Sequence, residues 1–522
     1  MNSDQNLLQN EQFSQVFQFK KEKFRVEIRK KNLAQELHQR RMKIGSIEQV
    51  KTQKADKKQY FSGYENKYEE EIQLAYLDLA DYLEKLDFDG IYDVLIAFYQ
   101  FIQDDQEMIS LKAPKIVQSG VLQIFSYLIS DQFDQMQNIV NVIMEIFCNL
   151  TTGSASQNLT IYNIALKDRL LKFLDFNLNP NIIDSVLHII SHFCYDVTPI
   201  KEDLMRQGLI QKVVELYKKK RLGLYTKQNK EFYSTYTWCL SSIASDENLE
   251  LKEVLELNLV ANELFLEIKD QSSAKNLLWY YYRITHNAGD KLSIILASDE
   301  KGLVLQKMID CLSLQKEQIL VSLLAFQPLS NFLQANDEQL IIQLLNKKLL
   351  DGLNYLIQTC SKQTKTIETI FWSISNIVLL SNEVLKYIIS HPIFENIIKA
   401  AQIYSDKIQS EAITCLCHVQ QLCSYQQINL FYHLKVYDIL INELQESKDE
   451  DILLKIIDGL YCAVQKAGQE SDSEQLKFLS KLEQLNLSVK LDNLQNYPSQ
   501  IVFEKAIDFI ETFYPKSNLD QQ

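Results

Sequence analysis

The segment FWSISNIVL, residues 371–379, carries the pattern that decides the fold. Its apolar residues recur at spacings of three and four, as expected for an α-helix that packs one face against a core. Trp372 and Asn376 are four positions apart, so they lie on the same face of that helix. From about residue 70 onward the chain continues in this pattern, with short polar connections and almost no strand signal. The sequence therefore predicts an all-α fold.

Related segments recur along the chain at a regular interval. Their equivalent positions are Asn149, His192, Ser242, Arg283, Asn331, Asn376 and His418, and one further step reaches Cys462. An interval near 40–47 residues with all-helical units is typical of armadillo or HEAT repeats. Such units bury their apolar faces only against their neighbours. We therefore expect an armadillo-repeat, right-handed α-solenoid with a long concave surface; the alternative is an irregular helical bundle.

The composition excludes several other protein classes. Only 12 glycines and 7 prolines occur in 522 residues, which disfavours β-sandwiches and Gly-rich nucleotide loops as the main architecture. Hydrophobic residues make up 46% of the chain, enough to bury a large core. Nine cysteines, an odd number scattered through apolar segments, indicate reduced core thiols rather than a disulfide framework. We expect neither a secretory signal nor a membrane span.

Charge is unevenly distributed along the chain. Residues 20–58 hold 14 Lys and Arg against 5 acids, a charge of +9, whereas residues 1–19 carry −2. Because the whole chain has a net charge of −14, the remainder carries −21. A basic arm therefore precedes an acidic body, and the two should attract each other or compete for the same ligands. A basic tail for nonspecific nucleic-acid binding is the alternative, disfavoured because the acidic body would repel phosphate.

The Trp and Asn four residues apart suggest a peptide-binding surface. The same spacing recurs in two other repeats, where Trp238 precedes Ser242 and Trp279 precedes Arg283. An exposed indole can pack the methylene stem of Lys or Arg and attract its cation. An Asn amide can both donate to and accept from one residue of an extended backbone. The alternative is that these tryptophans are buried packing residues.

At this level of detail the chain resembles the importin-α family of armadillo-repeat nuclear import adaptors. FWSISNI (371–377), TWCLSSIASD (237–246) and CNLTTGSASQ (148–157) are similar to the family's Trp-x-x-x-Asn helix and the turn after it. LQNYPSQIVFEKAIDFIETFY (494–514) is similar to its last repeat, and FRVEIRKKNLAQELHQRRMK (24–43) resembles its importin-β-binding arm. The order and spacing of these segments together carry the resemblance.

The resemblance implies two cargo sites. The major site would comprise Asn149, Gly153, Asp196, Trp238 and Ser242, and the minor site would comprise Asn331, Asp337, Trp372, Asn376 and Glu411. In the major site, Glu145, His188 and His192 stand where the family has Trp, Trp and Asn. In the minor site, Thr414 and His418 replace the last Trp and Asn. The minor site is thus better preserved, and we expect cargo to bind mainly through Trp372, Asn376 and Glu411.

The resemblance also implies a domain organisation. Residues 1–19 would form a disordered N-terminus, 20–58 the importin-β-binding arm and linker, 68–515 about ten armadillo repeats, and 516–522 a disordered tail. The basic residues of the arm are Arg25, Arg29, Lys30, Lys31, Arg40, Arg41 and Lys43. In the family this arm folds back into the cargo groove when importin-β is absent. Gln39 and Met42 depart from the family's Lys-Arg-Arg-Asn cluster.

The expected partners are importin-β, cargo proteins with basic localisation signals and an export receptor, with no nucleic acid and no membrane insertion. The protein would shuttle between cytoplasm and nucleus, have no enzymatic activity and hold neither cofactor nor metal. His188 and His192, with Cys194 nearby, could suggest a metal, but no third ligand is evident. Tyr280, Tyr281 and Tyr282 could line a groove or pack the core. The first rival interpretation is a general armadillo scaffold, or a relative of importin-α that has lost classical signal binding. The second rival is an enzyme that uses the region of His188 and His192.

Overall fold

A computed structural model describes residues 59–514, except for positions 63, 104–105, 134, 176–177, 221–229, 246–247, 287–289, 361 and 404–406. Within the described residues the secondary structure is entirely helical, without a strand. The chain forms two compact units that divide between Arg169 and Leu170. The predicted basic arm, from Arg25 to Lys43, lies outside the described residues.

The described part of the first unit has six α-helices. Their bounds are α1 Tyr68–Glu84, α2 Phe88–Gln103, α3 Gln106–Gln118, α4 Val121–Leu128, α5 Gln137–Leu150 and α6 Ala155–Ile161. Short 3₁₀ turns at Glu65–Lys67 and Asp131–Phe133 and a π-helical turn at Tyr162–Leu166 complete this unit.

The second unit continues with 3₁₀ turns at Leu170–Phe173 and Lys316–Gln318 and with helices that mostly form groups of three. The helix bounds are α7 Pro180–Asp196, α8 Thr198–Arg206, α9 Leu209–Lys220, α10 Lys230–Ile243, α11 Leu251–Glu267, α12 Gln271–His286, α13 Asp290–Ser298, α14 Leu303–Cys311, α15 Ile319–Phe332, α16 Glu338–Asn346, α17 Leu349–Thr359, α18 Thr364–Ile377, α19 Asn382–Ile389, α20 Ile393–Ile403, α21 Lys407–Leu422, α22 Tyr425–His433, α23 Val436–Glu446, α24 Glu450–Glu470, α25 Asp472–Glu483, α26 Leu487–Leu494 and α27 Gln500–Phe513.

Within each unit, the last helix of one group packs against the last helix of the next group. We call these the ladder helices: α2 and α5 in the first unit, and α7, α10, α12, α15, α18, α21, α24 and α27 in the second. Every position predicted from the sequence interval, from Asn149 to Cys462, lies on a ladder helix. The prediction of an all-α armadillo-repeat fold is therefore confirmed for the described residues.

A second ladder is formed by the middle helices, in which α9, α11, α14, α17, α20, α23 and α26 pack in sequence. In most repeats the chain turns sharply just before this helix, at a residue with positive φ. Gly208 (φ 87°) and Gly302 (φ 61°) take this conformation without a Cβ clash. Lys348 and Lys435 take it as non-glycine residues. In contrast, α11 runs for 17 residues where other repeats have two helices.

Lysines from a following helix cap the carboxyl ends of earlier helices. Lys466 on α24 donates to the carbonyl oxygens of Gln421 (2.6 Å) and Cys423 (2.9 Å) at the end of α21. Lys307 on α14 donates in the same way to Ile268 (2.9 Å) after α11. The last carbonyls of a helix lack hydrogen-bond partners within the helix and carry partial negative charge. An ammonium group supplies the missing donor and also offsets the charge. These lysines tie successive repeats together.

The cysteines support the interpretation made from the sequence. All nine are free thiols, and each is buried except Cys462, which is half-buried. Burial raises the pKa of Cys415 and Cys423 to about 12. Thiols held protonated in this way act as small apolar core residues rather than nucleophiles.

We expect Lys466→Met to destabilise the protein by about 1–2 kcal/mol, because the thioether chain keeps the packing but leaves the carbonyl oxygens at the end of α21 without a donor. Urea denaturation followed by far-UV circular dichroism measures this change. Lys386→Met, which removes an exposed ammonium from α19, is the control and should change stability by less than about 0.5 kcal/mol. Equal stabilities for the two variants would contradict the capping role.

Candidate functional site

The three tryptophans lie on ladder helices and remain partly open to solvent. Trp238, Trp279 and Trp372 are all half-buried, on α10, α12 and α18 respectively. None of the three is completely buried in the core. Complete burial would have excluded a role in ligand binding. An indole with one covered and one accessible face can pack the stem of a long basic side chain.

The strongest constellation joins α18 to α21, the next ladder helix. Trp372 and Asn376 are one helical turn apart on α18, and both are half-buried. Within the described residues, the Asn376 side-chain amide makes no hydrogen bond, so its donor and acceptor are available to a ligand. Glu411, also half-buried, lies on α21, which packs against α18. Indole, amide and carboxyl groups thus occur together on two adjacent helices.

Glu411 has an unusual protonation equilibrium. The pKa of its carboxyl group is raised to about 7, chiefly by burial; the charge of Lys455 opposes this shift, Glu368 adds to it, and Lys365 and Lys407 oppose it more weakly. Lys455 extends from α24, where its ammonium lies 3.4 Å from the Thr414 hydroxyl. A cation placed beside Glu411 would favour the ionised carboxylate and lower this pKa. The carboxyl group is therefore poised to respond to a basic ligand.

The other predicted minor-site residues are used within the fold. Asn331 is only 5% exposed, and its amide donates to the Thr285 hydroxyl (2.8 Å) on the preceding ladder helix. Asp337 is exposed but caps α16, since its carboxylate accepts from the Leu340 backbone amide at 3.1 Å. The structure therefore places Asn331 in the packing between repeats, where its amide does not face a ligand.

His418 stands where the family pattern has its last Asn. Its Nδ1 donates to the carbonyl oxygen of Ser375 at 2.8 Å, which connects α21 to α18. Burial lowers the pKa of His418, so the neutral imidazole is favoured. This histidine consequently acts as a tie between ladder helices beside the Trp372 constellation.

Two residues of the predicted major site belong to the first unit. Asn149 is 7% exposed, and its amide donates to the Glu145 carbonyl oxygen of its own helix at 2.9 Å. Gly153 immediately precedes the capping box of α6, where Gln157 reaches back to the Ser154 amide at 2.9 Å. A Cβ at Gly153 would lie against the Gln157 side chain, so this glycine is explained by the turn itself.

The other three predicted major-site residues belong to the second unit. Trp238 packs its ring against His188 (centroids 4.9 Å apart) and His192 (5.2 Å) on the preceding ladder helix. Ser242 is fully buried, so its hydroxyl is not on an accessible surface. Asp196 is exposed at the end of α7. Of this set, only Trp238 and Asp196 present side chains to solvent.

Arg283 connects ladder helices, a role that could not be predicted from the spacing of the repeats. Its guanidinium group contacts the Ser241 carbonyl oxygen on α10 and lies 5.3 Å over the Tyr195 ring on α7. One cation from α12 thus reaches across two ladder helices. A basic ligand near this point would meet a like charge. The only signal in the sequence was an arginine at a position that holds Asn in three other repeats.

Other residues considered from the sequence have structural roles. Tyr280, Tyr281 and Tyr282 are buried core residues. Among the residues that the structure describes, no group of three or more His, Cys, Asp or Glu side chains could hold a metal ion, including the region of His188 and His192. None of the described helices is long and apolar enough to span a membrane.

Comparisons with known proteins identify the fold. No protein-family model matches the sequence, and no curated protein sequence matches it. An engineered protein solved by the Northeast Structural Genomics Consortium superposes with a TM-score of 0.66 at 14% identity, covering 85% of this chain and 98% of that one. At this identity the similarity supports the fold alone.

Two further structures are similar with lower TM-scores. A structure concerned with the interaction between cadherin and β-catenin gives 0.47 at 12% identity, covering 92% of this chain and 96% of that one. A designed armadillo-repeat protein in complex with the peptide (KR)4 gives 0.41 at 16% identity, covering 50% of this chain and 99% of the designed one.

We expect Glu411→Gln to stabilise the protein at pH 8 by about 1–2 kcal/mol, because it removes a carboxylate whose ionisation burial disfavours. This value is smaller than the one that the whole pKa shift would give, because the group is partly solvated. Since the folded-state pKa is raised to about 7, the wild-type carboxyl group favours folding below pH 4.5, and this contribution is lost as the pH rises to about 7. The stability difference should therefore disappear near pH 4.5. Urea denaturation across this range measures it.

The control is Glu395→Gln, which neutralises an exposed carboxylate on α20. It should alter stability by less than about 0.5 kcal/mol at either pH. A Glu411→Gln variant that is less stable than the wild type at pH 8 would contradict a carboxyl group whose pKa is raised by burial.

Proposed function

We propose that this chain is an armadillo-repeat scaffold that binds extended basic segments of partner proteins, and that it serves as a nuclear import adaptor of the importin-α type. The observation that carries the proposal is the constellation of Trp372, Asn376 and Glu411 on adjacent ladder helices. All three side chains are half-buried, and the Asn376 amide is available. A basic arm at residues 20–58 precedes a body that carries a charge of −21.

Each member of the constellation would supply a different interaction. The Asn376 amide would hold one backbone donor and one acceptor of an extended peptide, which fixes its direction. The Trp372 indole would cover the aliphatic stem of a Lys or Arg and attract its cation. Glu411 would ionise as that cation arrives and form a charge-assisted hydrogen bond in a poorly solvated position. Peptide binding would then release a proton near neutral pH.

The arm would supply the connection to transport. In this proposal residues 20–58 bind importin-β and, in its absence, occupy the same acidic surface as cargo. The basic residues of the arm and those of a localisation signal would compete for Trp372 and Glu411. Shuttling between cytoplasm and nucleus, with an export receptor for the return step, belongs to the same proposal.

A second candidate is an armadillo scaffold that recognises a partner without a basic signal. The burial of Asn331 and Ser242 favours it, because two positions predicted to face cargo contribute instead to packing. Arg283 adds a positive charge where a basic peptide would otherwise continue. Such a scaffold would bind folded or acidic partners through other surfaces.

We expect a lysine- and arginine-rich peptide of eight to ten residues to bind with micromolar affinity, and Trp372→Ala to weaken it about 10- to 100-fold by removing stem packing and cation–π attraction. Fluorescence anisotropy with a labelled peptide measures the affinity. Asn376→Ala should weaken binding about tenfold, because two backbone hydrogen bonds are lost.

The matched comparison is Trp238→Ala, because Trp238 is also half-buried on a ladder helix but packs on two histidines. It should weaken peptide binding less than threefold. If only Trp238→Ala weakens binding, the assignment of the site to α18 and α21 is incorrect. If neither variant nor the wild type binds the basic peptide, the scaffold without signal recognition is the better function.

Deletion of residues 1–58 should abolish importin-β binding and raise affinity for the basic peptide at least severalfold, since the competing basic arm is removed. A pull-down with importin-β and the anisotropy titration measure the two effects separately. A control that replaces Arg25, Arg29, Lys30 and Lys31 with Gln keeps the length but removes part of the charge, and should show both effects more weakly. Retention of importin-β binding by the deletion would refute this role for the arm.

A further inference from the structure

Glu411 and Lys455 place opposite charges at equivalent positions of two successive repeats. Glu411 stands seven residues before His418 on α21, and both residues are half-buried. Lys455 stands seven residues before Cys462 on α24, and these two are also half-buried. The two ladder helices pack against each other within the second unit. A carboxyl group and an ammonium group therefore follow each other along one row of the solenoid.

Neither of these two charges is paired within the described part of the fold. Lys455 makes no ion pair with a described residue, and its ammonium has a single hydrogen-bond partner there, the Thr414 hydroxyl at 3.4 Å. Glu411 makes neither a hydrogen bond nor an ion pair with a described residue. Charged groups that are partly removed from water are costly when they lack partners. A ligand that supplies both missing partners is therefore favoured.

The Lys455 ammonium lies over the face of α21 that carries Glu411. Its partner Thr414 is three residues from Glu411, which puts both side chains on the same side of the helix. Thr414 is only 5% exposed, and its hydroxyl donates to no described residue. The charge of Lys455 also adds to burial in lowering the pKa of His418, one turn further along α21. An ammonium and a hydroxyl thus present donors beside the carboxyl group.

The other charged groups near this point are paired or exposed. Asp458, one turn along α24, forms an ion pair with Lys505 on α27. Lys365 is exposed and forms an ion pair within α18 at 3.1 Å. Lys407 is exposed at the start of α21. Of these groups, Lys455 is the half-buried ammonium that lacks an anionic partner among the described residues.

The distance between the two charges matches a spacing in an extended peptide. Thr414, which marks the position of the Lys455 ammonium, and Glu411 are neighbours on one helix face, about 5–6 Å apart between Cβ atoms. In an extended chain, side chains that point the same way are two residues apart, or roughly 6.6 Å. A single peptide can therefore place a cation at Glu411 and an anion at Lys455, with one residue between them.

We propose that Lys455, together with the Thr414 hydroxyl, binds an anionic side chain of the ligand, a carboxylate or a phosphorylated serine, two residues from the basic residue at Glu411. This inference rests on the proposed peptide-binding function and specifies its ligand. The preferred segment has an acidic residue at this spacing from a lysine or arginine. An uninterrupted basic run brings a second cation against Lys455 and binds less tightly.

The test measures the affinity of the full chain for a set of labelled peptides by fluorescence anisotropy. The peptides share one basic segment and carry Lys, Gln or Glu two residues after its central lysine; a second set varies the position two residues before it, which covers both directions of binding. In one of the two sets, Glu raises the affinity about 3- to 10-fold over Gln, and Lys lowers it. Because residues 59–522 carry −21, a carboxylate without a specific partner would weaken binding instead.

Phosphoserine at the same position distinguishes the two sources of the anionic group. It raises the affinity at least as much as Glu, since it carries a charge of about −1.5 to −2 near pH 7. A gain seen with phosphoserine and not with Glu assigns the Lys455 position to phosphorylated partners.

Variants of the protein connect the preference to one side chain. Lys455→Met removes the preference for Glu over Gln and binds the all-basic peptide severalfold more tightly, because a like charge is gone. Lys455→Arg keeps the charge and retains the preference. Lys365→Met removes an exposed ammonium that also acts on Glu411, and as the matched control it leaves the preference unchanged. Circular dichroism confirms that each variant is folded.

Two failures can be told apart. If the basic peptides bind but neither Glu nor phosphoserine exceeds Gln in either set, or if the preference persists in Lys455→Met, the role of Lys455 is overturned while the proposed peptide-binding function stands. If no peptide of either set binds, both are overturned.

Discussion

Within each unit, the stacking of a ladder helix on its counterpart in the next repeat is the contact on which the rest of the structure depends. It joins residues about one repeat apart in sequence, so polar groups on the contacting faces must find partners at that distance. Asn331 bonds to Thr285, His418 to Ser375 and Lys466 to Cys423 in this manner. Because buried polar groups are costly without partners, stacking takes these groups first and leaves few for a ligand.

This requirement explains why equivalent ladder positions differ in what they can do. Asn149, Asn331 and Asn376 occupy the same place in three repeats. The first bonds to its own helix, the second bonds to the preceding ladder helix, and the third remains half-buried with an available amide. Of these three asparagines, therefore, one is a candidate contact for a peptide and two stabilise the fold.

The difference between stacking contacts and the depth of a single side chain also determines what could be predicted from the sequence alone. The spacing of apolar residues comes directly from stacking, so the helices and their interval from Asn149 to Cys462 could be predicted. The depth of an individual side chain depends on how neighbouring helices lie, which is why Ser242 could not be recognised as buried. Turns at Lys348 and Lys435 were equally hidden, because lysine carries no signal for positive φ.

A single well-formed peptide contact per chain would give modest affinity, since binding must first offset the loss of freedom of the ligand. The equivalent positions on the neighbouring ladder helices cannot add to it, because Asn331 is only 5% exposed and bonds to Thr285, and His418 bonds to Ser375. The affinity of such a contact would therefore depend on how firmly the fold holds Trp372 and Asn376 before a ligand arrives, since a preformed contact has less freedom to lose. The bond from His418 to Ser375 contributes to this, because it connects α21 to the part of α18 that lies between these two residues.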